Sequence, residues 1–196
     1  MVATPGQLAV FSRLLSAGVD DEHDSKAEAE FLDRAFRPAP DTLIPELLAP
    51  IEDPVFGRLT VQPPSAFGST IEIEDARPLA PAVPATDHGF SFEFGSVSRD
   101  RLADLLPPAR LMLSNLASIR TRAAEFVWQQ GRDEDRAGTT WEAFDAALVL
   151  MGVVVYHSGD FGIELHDVTG QYFEDGYWPH IGFFADGTPA EWAVQA

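Results

Sequence analysis

Residues Leu148 to Tyr156 read LVLMGVVVY, the longest apolar stretch of the 196-residue chain. It falls far short of the roughly 20 residues a membrane span needs. Its β-branched composition predicts instead a central strand over Val149 to Tyr156, buried on both faces. His157-Ser158-Gly159-Asp160 reads as a turn, and Phe161 to Val168 (FGIELHDV) as the return strand. Further on, Ile181 to Phe184 and Ala190 to Val194 flank Asp186-Gly187, which predicts a closing hairpin with a type I′ turn.

Upstream of this run the period changes to that of helices. Thr139-Thr140-Trp141-Glu142 has the form of a capping box, opening a short helix through Ala147. Met112, Leu116, Ile119, Ala123 and Phe126 form an apolar stripe at helical spacing, opposite Asn115, Ser118, Arg122, Glu125 and Gln129. With Pro107-Pro108 placed at its start, this predicts a long helix from Ala109 to Gln130, ended by Gly131. A shorter helix, Arg99 to Leu106 capped by Ser98, precedes it.

Twelve of the 15 prolines lie between Pro38 and Pro108, which excludes long helices from the middle of the chain. Short strands fit there. Leu59 and Val61, Ile71 and Ile73, and Phe90, Phe92 and Phe94 each alternate with polar neighbours, so each run has one buried face. The N-terminal part reads as helical, with apolar spacing over Gln7 to Ala17 and a capping box at Ser25 to Glu28. The acidic run Asp20, Asp21, Glu22 and Asp24 lies between these helices as a solvated loop, and Leu43 to Leu48 fits one further turn. The expected class is α+β, with helices covering a largely antiparallel sheet. Residues 1–52 form an N-terminal helical segment, and residues 53–196 form the α+β domain.

Composition narrows the function. Thirteen basic against 31 acidic side chains give a net charge of −18, which disfavours nucleic acid and anionic membrane as partners and suits a basic protein. The absence of cysteine removes disulfides, thiolate metal sites and cysteine nucleophiles. Lys26 is the sole lysine, with no glycine-rich loop before it, so neither a phosphate-binding loop nor a pyridoxal Schiff base is expected. Residues 1–19 lack the basic start of a secretory signal, and the expected location is cytoplasmic.

The order WEAFDAAL, LMGVVVY, FGIELHDV, YFEDGYWPHIGFF, ADGTPAEWAVQ resembles the C-terminal module of uncharacterised bacterial domain families. Many members of those families look like immunity proteins of polymorphic toxin systems. Asp53 to Val61 (DPVFGRLTV) is similar to the opening strand of such domains. Where the families carry Gly-His, this chain has Pro179-His180. The resemblance implies a small cytoplasmic inhibitor of a cognate toxin, binding by direct contact and needing no cofactor.

The residues themselves suggest two sites. Glu164, Tyr172, Glu174, Asp175, Tyr177 and Trp178 mix carboxylates with aromatics, a composition suited to anchoring on a basic partner. His157, His166 and His180, with Asp160, Asp167, Glu174 and Asp175, supply nitrogen and oxygen atoms for a metal- or carboxylate-dependent hydrolase. Their spacing matches no compact ligand motif, and Gly89-Phe90-Ser91-Phe92-Glu93 lacks the last glycine of a nucleophile elbow. The expectation is therefore a binding protein with no catalytic residues and no metal, with the hydrolase as the alternative.

Overall fold

The computed structural model describes residues 29–31, 33–34, 49–62, 70–79, 89–95, 97, 99–131, 136 and 138–195. The features expected over Gln7 to Ala17, at Ser25 to Glu28, over Leu43 to Leu48 and at Ser98 lie outside them. Among the described residues eight strands form one sheet in sequential order: β1 Ile51–Asp53, β2 Gly57–Val61, β3 Thr70–Ile73, β4 Ser91–Gly95, β5 Leu148–Tyr156, β6 Phe161–Asp167, β7 Trp178–Phe183 and β8 Pro189–Gln195. Every neighbouring pair is antiparallel except β4 and β5, which run parallel. A parallel pair needs a long crossover. Here it consists of helices α1 Arg99–Ser114, α2 Leu116–Gln130 and α3 Trp141–Ala147.

The expected central strand is β5, fifth of eight, buried along almost all of its length. Strand alternation sends Leu59, Val61, Ile71, Ile73, Phe92, Phe94, Val153, Val155, Ile163 and Ile181 to one face. They share one core with Leu102, Leu105, Ala109 and Met112 of α1 and Leu116, Ile119, Ala123 and Val127 of α2. Phe90 and Phe126, both expected in this core, are half-buried at its margin.

Three boundaries depart from expectation. Pro107 and Pro108 do not open a helix; they lie inside α1. Leu102, Leu105, Ala109 and Met112 hold a continuous buried stripe across this point, and both prolines face solvent. The carbonyls they leave without donors therefore reach water, and burial outweighs a proline cost of about 3 kcal/mol. The break comes instead at Asn115, where the backbone leaves helical geometry (φ −114°, ψ 9°). At α3 the cap is Thr140, whose hydroxyl accepts from Ala143 N at 3.2 Å, one residue later than the expected box.

The third departure is the last turn. Phe184 N donates to Thr188 O and Gly187 N donates to Phe184 O, so the loop holds one residue more than a type I′ turn. Gly187 supplies the left-handed position (φ 83°) that this longer loop requires. Within Asp53 to Val61, Asp53 ends β1, Pro54 to Phe56 form a turn, and the strand expected through Leu59 and Val61 follows as β2.

Residues 29–31 and 33–34 are helical and reach the other face of the sheet. Phe31 is fully buried there with Val154, Tyr156 and Ala190. Its ring meets Tyr156 edge-on at a centroid distance of 5.6 Å. Arg34 donates from Nη2 to Asp160 Oδ1 at 2.9 Å, tying this helical segment to the β5–β6 turn.

Candidate functional site

The second face of the sheet is built of different residues from the first. Register brings Thr60, Glu72, Glu93, Val154, Gly162, Gly182 and Glu191 into one row across seven strands. A second row holds Ser91, Gly152, Glu164, His180 and Ala193. Three glycines inside strands are costly unless something else needs their space. Here side chains from neighbouring strands take it. The Glu164 carboxylate lies where a Gly152 Cβ would stand, beside Ser91 Oγ at 2.8 Å from the same point. The His180 ring lies over Gly162, and Phe31 Cζ lies 2.7 Å from where a Gly182 Cβ would be.

These tilts gather Glu93, Glu164, His180 and Tyr156 into one cluster. His180 is buried, and its Nε2 pairs with Tyr156 Oη at 3.3 Å. Its Nδ1 is buried with no hydrogen-bond partner and faces Glu164 Oε1 at 3.8 Å. Burial pushes the Glu93 carboxyl up to about 7, and the negative charges of Glu164 and Glu72 add to this, while His180 acts in the opposite direction. Tyr156 is also held well above its ordinary value, first by burial and then by Glu191, Glu164 and Glu93. The cluster therefore gathers several acidic groups at a site where burial opposes their ionisation. Next to it, an open cleft of about 460 Å³ between β3 and β4 is lined by Glu72, Glu74, Asp75, Arg77, Ser91 and Glu93 among others. Arg58, at the edge of this face, is engaged by Glu52 at 3.9 Å and Glu74 at 3.4 Å.

Three buried aspartates do other work. Asp167 Oδ1 accepts from Thr169 N and Oγ1, and its Oδ2 accepts from Tyr172 N and Phe173 N, so it shapes the β6–β7 connection. Asp160 accepts from Arg34, Ser158 Oγ and Ala185 N. Asp53 Oδ1 accepts from Val55 N and Phe56 N, and its Oδ2 accepts from Arg110. Burial alone would raise the Asp53 pKa, but these three donors and the Arg110 charge hold it below its ordinary value.

The residues expected to bind a partner are divided by the fold. Glu164 is half-buried on the second face, and Trp178, at the start of β7, alternates to the same side as His180. Tyr172 turns to the helical side, where its ring meets Phe144 at 5.0 Å. Glu174, Asp175 and Tyr177 are exposed in the β6–β7 connection. The residues weighed as metal ligands are also dispersed. His157 stands in the turn before β6 and His166 near the far end of that strand. Among the described residues no group of three His, Asp or Glu side chains is arranged to hold a metal ion. Glu72, Glu93 and Tyr156 were not legible as site residues. The available signal was the alternation of Glu93 with Phe92 and Phe94, together with glycines at 152, 162 and 182.

Comparison of the chain with family models, with curated proteins and with solved structures finds no match. Among the described residues no helix is long and apolar enough to cross a membrane.

Proposed function

We propose that this chain is a cytoplasmic immunity protein that neutralises a cognate bacterial toxin by covering the toxin's basic active-site cleft. The observation that carries the reading is the grouping of the carboxyls of Glu72, Glu93 and Glu164, from two adjacent rows, on the second face of the sheet, in a chain of net charge −18. In this reading the helices cover one face, the N-terminal helical segment closes one end of the other, and the remaining acidic surface meets the toxin. Glu174, Asp175, Tyr177 and Trp178 extend that surface along the β6–β7 connection. Like charges gathered on one face destabilise a free protein and are relieved when a basic surface docks, so the same feature supplies affinity and steers encounter.

Growth rescue tests this. Co-expression with a toxin encoded beside this chain is expected to restore growth of a susceptible host and to yield a complex that survives purification at low salt. Failure of both would overturn the reading.

A second reading rests on Glu93 with Glu164 beside it. A carboxyl with a pKa near 7 beside a second carboxylate has the properties of a general acid paired with a base, as in a carboxylate-dependent hydrolase. The two readings separate on Glu93→Gln, which would abolish hydrolysis but only weaken the binding of an occluding inhibitor that makes many other contacts.

A further inference from the structure

We infer that the Glu93–Glu164–His180 cluster is a seat for the guanidinium of one arginine side chain contributed by the protein partner. The inference rests on the binding reading above and assigns to it the chemistry of its central contact.

Two independent observations point to a ligand. The first is electrostatic. Glu93 and Glu164 stand on β4 and β6, and the tilt of Glu164 across Gly152 brings its carboxylate beside Ser91 on β4. Glu72 adds a third carboxyl from β3, which accepts from Gln62 Nε2 at 2.7 Å. No salt bridge of a described arginine reaches Glu93 or Glu164. The second observation is His180. Its side chain is more than nine-tenths buried, and Nδ1 has no hydrogen-bond partner, although it is aimed at Glu164. An unpaired buried nitrogen costs about 1–3 kcal/mol. In the tautomer that places the proton on Nε2, Tyr156 Oη accepts it and Nδ1 is an acceptor awaiting a donor.

A donor-only cation satisfies all three groups. Guanidinium carries five N–H donors in a planar fork and is weakly hydrated, so it gives up water more cheaply than an ammonium. It can engage one carboxylate bidentately and still donate to a second group. A divalent metal fits less well, because among the described residues no three ligands are arranged closely enough to hold one, whereas the wider guanidinium fork spans more separated groups.

The test uses the intact chain and a small probe. Amide NMR is recorded during titration with N-acetyl-arginine amide, and then with N-acetyl-citrulline amide, which keeps the shape but lacks the charge. Saturable millimolar binding is expected for arginine, with shifts centred on Ser91, Gly152 and Gly162, and none for citrulline. Glu93→Gln and Glu164→Gln should each weaken it at least tenfold, while Asp100→Asn, an exposed change on α1, should leave it unaltered. Equal shifts with citrulline, or tenfold weakening in Asp100→Asn, would overturn the seat. Micromolar binding of the free amide would also overturn it, assigning the site to a small ligand. If a partner complex forms but Glu164→Gln leaves its affinity unchanged, the seat is wrong and the binding function stands. If arginine binds as described but no partner is captured, the seat stands and the immunity reading falls.

Discussion

Glu164 fills the space above Gly152, so a carboxylate from β6 lies flat across β5 and reaches the side chains of β4. This one crossing converts separate acidic residues into a cluster. It depends on the glycine, and the same device recurs one strand further on, where His180 lies over Gly162.

The two glycines should respond differently to alanine. At Gly152 the new methyl meets the free end of a glutamate and the Ser91 hydroxyl, 2.8 Å away, both of which can rotate aside, so Gly152→Ala should cost less than about 1 kcal/mol. At Gly162 it meets a buried imidazole, with Tyr156 Oη 3.2 Å away. Neither can move freely, and Gly162→Ala should cost about 1–3 kcal/mol. Urea denaturation of the two variants checks the order, and equal costs would contradict the tilts described.

Glu93 predicts a pH dependence whose sign is unusual for a carboxylate. Its folded pKa, about 7, lies above its ordinary 4.5, so between these values the folded state holds a proton that the unfolded state has lost. Stability from this group is full below about pH 4.5, falls as pH rises to 7, and is level beyond. The total is on the order of 1–3 kcal/mol once solvent screening at this half-buried site is allowed for. Glu93→Gln should therefore be more stable than the parent at pH 8 and similar to it at pH 4.5. Asp53 acts in the opposite sense. Its pKa is lowered, so its contribution is present above its ordinary 3.8 and is lost as pH falls below that. Denaturation curves of both proteins at the two pH values decide this.

Asp167 holds four donors of the β6–β7 connection. Asp167→Ala leaves buried amides unpaired and should destabilise the chain by about 2–4 kcal/mol. Hydrogen exchange should show Tyr172 and Phe173 amides losing protection first. Unchanged protection at those two amides would show that the loop is shaped by something else.

Helix α2 supplies a plainer test of the core. Leu116→Asp or Ile119→Asp places an unpaired charge against the sheet, at a cost of several kcal/mol out of a typical 5–15. Neither variant should fold, and an unchanged thermal midpoint would show that this face of α2 is not buried.

The fold was legible where burial set the periodicity. The run Leu148–Tyr156 announced a central strand because both of its faces are covered, and the Met112–Leu116–Ile119–Ala123 stripe announced a helix because one of its sides is. Boundaries were less legible because local signals compete with packing. The two prolines looked like a start, yet the buried stripe through Leu105 and Ala109 carried α1 past them. The site was the least legible part. Glu93 and Glu164 are 71 positions apart, and only the parallel pairing of β4 with β5 brings them to the same face. Charge on the second face leaves no period of its own, since any polar residue alternates there equally well.

The most direct measurement of the central claim is the association rate with the toxin partner at 50 mM and 500 mM salt, by stopped flow. Docking of the acidic face on a basic cleft predicts a rate falling at least tenfold across that range, and a smaller fall in a Glu93→Gln, Glu164→Gln double variant. Equal rates at both salt concentrations would contradict the account.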